Sequence, residues 1–144
     1  MQVQAMEIRA AAKRDADGVF ELADRLDAAV PVDREAFDEL YPKIIRSNTA
    51  CCLVALAGDE VHGYASGFMH DTIYASGPVA YLDEMVVSED LRHSGIGTQL
   101  VKAFEEWATE SGCRLIGLAV EGAAPFYESL GYQRIAGHYR KALG

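Results

Sequence analysis

The sequence predicts one α/β domain built on a mixed, mostly antiparallel sheet, and three observations carry that expectation. The chain has 144 residues, half of them hydrophobic, and a chain of that length buries ~70% of its unfolded-state surface. Apolar runs at 50–57, 61–69 and 79–87 crowd the middle of the chain, with the length and β-branched content of strands. A helical stretch at 97–110 then separates 79–87 from a further apolar run at 112–120. Such a strand–helix–strand crossover allows two neighbouring strands to lie parallel in an otherwise antiparallel sheet. No linker, repeat or low-complexity tract interrupts the chain, so a single domain over 1–144, with its core at about 6–143, is expected.

The elements follow in order. "MEIRAA" alternates and reads as a first strand. Asp15 is placed to cap a helix from Ala16 to about Leu26, whose apolar face is Val19, Phe20, Leu22, Ala23 and Leu26. A second helical stretch starts near Asp33 and carries Phe37, Leu40 and Ile44, with Pro42 expected to break or restart it. "ACCLVALA", the turn "GDE" and "VHGYASGFM" read as a hairpin, "DTIYASG" as a polar loop, and "VAYLDEMVV" as a long strand. Residues 97–110 place Leu100, Val101, Phe104, Trp107 and Ala108 on one helical face. "GCRLIGLAV" supplies a fifth strand and "AAPFYESL" a short helix with Gly131 as its C-cap; "YQRIAGHYRKAL" is expected to close the sheet with one or two strands.

Charge and composition exclude several roles. A net charge of −9 opposes nucleic-acid binding, which calls for a basic surface that displaces counterions, while it tolerates a cationic partner. The longest apolar run, "ACCLVALA", falls far short of the ~20 residues a membrane-crossing helix needs. "MQVQAMEIRAAAKR" has no apolar core followed by a small-residue cleavage site. Three cysteines, two of them adjacent, make neither a disulfide framework nor a zinc spacing. A cytoplasmic protein without metal is expected.

One stretch does not serve the fold alone. Arg92-His93-Ser94-Gly95-Ile96-Gly97, R-x-x-G-x-G, opens a strong helix with two glycines, each of which weakens a helix by roughly 0.5–1 kcal/mol relative to alanine. A helix N-terminus exposes unpaired N–H groups and about half a positive charge, and glycine leaves room for an anion to approach them. Positive φ at glycine also lets successive amides converge into an anion-binding nest. Arg92 adds a cation, and Ser94 and Thr98 add hydroxyls. No lysine follows Gly97, so a Walker loop fails. A dinucleotide fingerprint would put a third glycine where Leu100 stands, although Glu121 lies at a tolerable distance for a ribose contact. A glycine-rich turn without ligand is the plain alternative.

With its flanks, the stretch resembles the GNAT superfamily of N-acetyltransferases. "YLDEMVVSEDLRHSGIGTQLVKAFEEWATESGC" is similar to that family's central strand, pyrophosphate loop and following helix; "APFYESLGYQRI" is similar to its second signature, and "IRAAAKRDADGVFELADRL" to its opening strand and helix. The resemblance implies a sheet whose central parallel strands, 79–87 and 115–120, splay apart around acetyl-CoA. It implies that backbone groups of Met85, Val86 and Val87 pair with the pantetheine arm as an added strand would. Arg92, His93, Ser94, Gly95, Ile96, Gly97 and Thr98 then hold the pyrophosphate. A bulge near the end of the first of these strands would aim an N–H at the thioester carbonyl, a contact of ~3–4 kcal/mol in other enzymes.

The implied reaction is direct attack of a primary amine, of a small molecule or a peptide, on the acetyl thioester. An alkylamine of pKa ~10.4 is mostly protonated at pH 7, and freeing its lone pair costs about 4.6 kcal/mol, so a proton acceptor is needed. Glu84, beside the cleft, is the first candidate; strict alternation would turn Asp83 to the opposite face. Orienting a cationic substrate is the simpler role for Glu84. The family's glutamate inside the next strand is absent, Ala119 standing there with Glu121 just beyond, and "VEGAAP" lacks the asparagine many relatives carry. Tyr127 matches the tyrosine that donates to the departing thiolate and contacts the cofactor. His62, His70 and His138 read as surface or core residues and Cys51 as a small hydrophobe. Phosphorylated sugars, polyamines, aminoglycosides and peptide amines all stay open as acceptors, although the acidic balance gives a phosphorylated sugar no obvious welcome. Homodimers are common among relatives, which is analogy only; the oligomeric state is not readable from these residues. The rival function is a non-catalytic acetyl-CoA sensor or regulatory module.

Overall fold

The run "ACCLVALA" is apolar at every position because it forms a strand covered on both faces. In the computed structural model, which describes residues 6–27, 29–120 and 122–144, this is β2 (Ala50–Ala57). It lies between β1 (Glu7–Ala10) and β3 (Glu60–Thr72), followed by β4 (Gly77–Val87) and β5 (Ile116–Leu118), in the spatial order β1-β2-β3-β4-β5. All pairs are antiparallel except β4 with β5. The sheet is therefore the mixed α/β arrangement the sequence predicts.

Alternate β2 residues point to two different layers. Cys52, Val54 and Leu56 meet Val19 and Leu22 of α1 (Ala16–Ala23) and Tyr41 of α2 (Arg34–Arg46), together with Tyr64 and Val86. Cys51, Leu53 and Ala55 meet Ile96, Leu100, Val101, Phe104 and Ala108 of α3 (Ile96–Glu110), with Tyr127 of α4 (Ala124–Ser129) at the edge. Phe104 packs so close to the sheet that a Cβ on Gly67 would come within 2.6 Å of its ring and 2.2 Å of the Tyr81 carbonyl. Glycine at 67 is thus required by helix-on-sheet contact.

Several local expectations are corrected. Asp15 does not cap α1 with its side chain; the carboxylate turns back to accept from the Ala12 amide at 2.7 Å and from Arg9 at 2.7 and 3.0 Å. The helix also ends at Ala23 rather than Leu26, and Leu26 is exposed. Pro42 neither breaks nor restarts α2, which runs through it. Asp33 caps α2 by accepting from the Ala36 amide at 2.9 Å, and the buried apolar contact comes from Tyr41, whereas Leu40 faces solvent. The strand β3 runs on to Thr72, into the expected polar loop. The fifth strand shrinks to three residues, and no strand follows Leu118 among the described residues. Ile135, Tyr139 and Leu143 in the chain's last segment are exposed. A strand is stabilised by the edge it pairs with, and β5 offers only a three-residue one, so local alternation over 132–143 was insufficient. No described helix is long and apolar enough to cross a membrane.

Candidate functional site

The approach to α3 departs twice into left-handed backbone. A short 3-10 turn, Glu89–Leu91, ends at Arg92; His93 then takes φ +67° and Gly95 φ +91° before the helix begins at Ile96. No side chain caps this helix. Its first backbone bond is Gln99 N–H to the Gly95 carbonyl at 3.1 Å. Among the described residues, the six successive amides of His93 to Thr98 therefore have no hydrogen-bond acceptor. Amides left unpaired in a row at a helix start are open to an outside acceptor, whether water or an anion. A Cβ at Gly95 would meet nothing within 4 Å, so glycine is needed there for its positive φ, and the space above it is open. Left-handed backbone at the non-glycine His93 costs about 1–2 kcal/mol.

The neighbouring side chains share this loop unequally. Arg92 is exposed and forms no ion pair among the described residues. The Ser94 hydroxyl donates to the Leu91 carbonyl and so braces the loop, in place of the free donor expected from sequence. Ile96 is buried and anchors the turn in the core. Gly97 serves packing as much as access: a Cβ there would stand 3.3 Å from the Phe126 ring and 3.6 Å from Met85. Thr98 is half-buried.

The strands splay where the family resemblance places the cofactor. Between β4 and β5 the parallel register covers only Ala80 to Leu82, opposite Ile116 to Leu118. Beyond Leu82 the β5-facing edge of β4 has no strand partner among the described residues, while its other edge stays paired with β3 as far as Val87. At the point of separation the register slips. Ser66 faces Glu84 and Gly67 faces Leu82, which leaves Asp83 as the extra residue of a β-bulge. The expected alternation fails here for that reason. Leu82, Met85 and Val87 pack toward α3, whereas Glu84 and Val86 turn to the α1–α2 side.

Glu84 is consequently a partly buried carboxylate that has no cationic partner among the described residues. Its Oε1 accepts from the Tyr64 hydroxyl at 3.0 Å. Burial lifts its pKa above the ordinary carboxylate range and the charge of Asp83 adds to the rise, against the opposing Tyr64 hydrogen bond. Burial likewise lifts Asp83. The Tyr64 hydroxyl is pushed well up, by burial first and then by Glu84. Sequence reasoning missed Tyr64 as a partner; a tyrosine at an inward position of the alternating "VHGYASGFM" was the available signal, since a buried phenol seeks an acceptor.

Tyr127 lies across the sheet from Glu84, in the α3 layer, 8% exposed. The helix α4 that carries it ends in a Schellman turn, with Tyr132 N–H on the Tyr127 carbonyl at 3.1 Å, Gly131 N–H on Glu128 at 3.0 Å and Gly131 at φ +95°. Phe126 and Tyr132 pack edge-on against the Tyr127 ring at 4.9 and 5.9 Å. Burial raises the Tyr127 pKa, so the phenol stays protonated and able to donate. Glu84 and Tyr127 stand on opposite faces of the sheet. Glu121 lies outside the described residues. Cys51 and Cys52 are buried with pKa values pushed up to about 12, as inert apolar side chains. A recess of about 180 Å³ lined by Arg25, His62, Ser88 and Asp90 contains neither Glu84 nor Tyr127.

Comparison with known proteins agrees with this geometry. The acetyltransferase (GNAT) family matches residues 16–132. Aminoalkylphosphonate N-acetyltransferase of Salmonella typhimurium is 28% identical over 141 residues, covering 95% of this chain and 91% of that protein. Aminoglycoside N(6')-acetyltransferase type 1 of Salmonella typhimurium is 29% identical over 75 residues, 50% of this chain and 52% of that protein, so the match spans about half of that relative's length. The crystal structure of AAC(6')-Iy, in complex with a bisubstrate analog of CoA and acetylneamine, superposes with a TM-score of 0.83 at 23% identity, over 97% of this chain and all of that one. This last likeness is one of fold. With its splayed parallel strands and bare helix N-terminus, the chain belongs to the acetyltransferase (GNAT) family.

Proposed function

We propose that the chain is an acetyl-CoA-dependent N-acetyltransferase that moves an acetyl group to a primary amine by direct attack. The row of unpartnered amides from His93 to Thr98 supports this most, because it suits a diphosphate and nothing in the fold otherwise uses it. Arg92 would add a charge-assisted contact. The open edge of Met85, Val86 and Val87 suits an extended amide-bearing arm. These residues fit acetyl-CoA, which supplies an activated acyl group as a thioester.

This chain's own residues handle the protons and the charge. Glu84, whose pKa burial raises above that of a surface carboxylate, takes the amine's proton in its ionised form, directly or through water. The bulge at Asp83 breaks the ladder beside the gap and frees backbone N–H groups to face developing negative charge. Tyr127 donates a hydrogen bond to the departing sulfur. Relatives act on aminoglycosides and aminoalkylphosphonates; with a net charge of −9 and two unpaired carboxylates at the gap, a cationic small-molecule amine is the acceptor we assign here.

The test is thiol release from acetyl-CoA across a panel of aminoglycosides, polyamines, aminoalkylphosphonates and an amine-terminated peptide. Acceptor-dependent release, highest for a cationic small molecule, is the expected result. Tight acetyl-CoA binding with no acceptor-dependent release from any of them would instead identify a sensor.

A further inference from the structure

The sheet face that bears Glu84 carries more than the proton acceptor. In the β3–β4 register Phe68 faces Tyr81 and Ser66 faces Glu84, and the bulge at Asp83 keeps both pairs on the same side. His70, two residues beyond Phe68, shares that side. The three rings of Phe68, His70 and Tyr81 are mutually near-parallel, within 20°, with centroids 5.5, 5.8 and 6.0 Å apart. Tyr81 lies over β5 at Gly117, where a Cβ would come within 2.6 Å of the ring.

This cluster is not part of the core. Phe68 and Tyr81 belong to neither apolar layer, Phe68 is 38% exposed, and Leu115 beside them is 51% exposed. Cross-strand stacking would account for the Phe68–Tyr81 pair, but it does not require a third ring or an open face on the side of the sheet that carries the partly buried Glu84. Among the described residues neither Asp83 nor Glu84 has a cationic partner. An apolar, π-rich wall that ends in two unpaired carboxylates is complementary to a positive charge carried on an apolar or flat-faced body.

We propose that Phe68, His70 and Tyr81 are the wall on which the acceptor lies, and that they select a primary ammonium borne on a six-membered ring, aryl or sugar, over one on an open chain. The inference rests on the N-acetyltransferase reading and adds to it the acceptor's shape and the residues that choose it. Two residues of strand, about 7 Å, separate Ser66, opposite Glu84, from Phe68. That span suits an amine one or two carbons from its ring.

The experiment compares kcat/KM for 2-phenylethylamine and neamine with that for n-butylamine and putrescine, in the wild type, Phe68→Ala, Tyr81→Ala and the packing-conservative Phe68→Leu with Tyr81→Leu. Acetyl-CoA affinity is measured by calorimetry in each. For at least one ring amine, each Ala variant should lose about 3- to 10-fold through KM, with open-chain amines and the acetyl-CoA Kd unchanged; the Leu pair should lose the same preference. Loss confined to neamine identifies sugar amines, and loss confined to phenylethylamine identifies aryl amines. A ring-to-chain ratio equal in wild type and folded variants overturns the wall while leaving acetyl transfer intact. A wild type that binds acetyl-CoA and acetylates none of the four overturns the wall, and the transferase reading falls with it only if the wider acceptor panel also gives no thiol release.

Discussion

Asp15 is a buried carboxylate and Glu84 a partly buried one, and their surroundings drive them in opposite directions. For Asp15 burial works to raise the pKa, but Arg9, the Ala12 amide and the Arg9 charge outweigh it and hold the group below its ordinary value. The corner is fully paired: Arg9 grips both carboxylate oxygens and the Tyr41 hydroxyl donates to the Ala12 carbonyl at 2.7 Å. Glu84 has one phenol donor, a like-charged neighbour and no cation, and its pKa rises. The first arrangement leaves the carboxylate nothing further to do, which is what a structural joint needs. The second keeps a base whose preferred partner has to arrive from outside. The same contrast separates the helix starts, since α2 is capped by Asp33 whereas α3 begins with a row of unpartnered amides.

Substitutions at the two acids should therefore separate catalysis from stability. The largest effect is expected for Glu84→Gln, which should lower kcat by about 10²–10³-fold with acetyl-CoA affinity kept; a kcat within threefold of wild type would place the base elsewhere. Asp15→Ala should cost about 2–3 kcal/mol in urea unfolding, less than a fully buried pair because Arg9 is 23% exposed. Its kcat/KM per folded molecule should not change, and a loss of catalysis without a loss of stability would break the comparison. Gly95→Val forces a β-branched residue to φ +91° and should weaken acetyl-CoA about tenfold or more, equivalent to ~1.4 kcal/mol. The cost in stability should stay near ~1–2 kcal/mol, and an unchanged Kd would remove the loop from the site.

The smallest and sharpest contrast is in pH. Asp15 has a depressed folded pKa, so its stabilisation is present above the ordinary 3.8 and is lost as pH falls through the folded value. Glu84 has a raised folded pKa, so its contribution is present below the ordinary 4.5 and is lost as pH rises through the folded value. Relative to wild type, Glu84→Gln should gain stability toward neutral pH, whereas the deficit of Asp15→Ala should shrink below about pH 4. Chemical unfolding between pH 3 and 8 measures both slopes, and parallel slopes would refute the assignment. The acid limb of kcat/KM should lie above the ordinary carboxylate range, because Glu84 accepts a proton only when ionised.

Much of this was legible in the residues. The continuous run of β2, the Gly58-Asp59 turn after it, the helical face of 97–110 and the Gly131 stop signal are all local patterns, and each formed where expected. The loop from Arg92 to Thr98 was legible too, since glycines at a helix start conflict with helix propensity and so point to another demand. Pro42 misled because packing of Tyr41 against the sheet outweighs one missing N–H. The closing strands misled because a strand needs an edge, and edges are not written in the strand's own residues.

Sequence alone determined the class of sheet, the order of its elements as far as α4 and the bare amides ahead of α3, because each follows from interactions among residues a few positions apart. Only the tertiary structure decided which face Glu84 takes. That choice turns on one extra residue, Asp83, in a ladder whose other half, Ser66 and Gly67, belongs to a different strand. It also decided that Tyr64 is the acid's partner and that Gly97 seats Phe126. Register between distant strands is fixed by the sum of contacts on both faces, and no short stretch of this chain contains that sum.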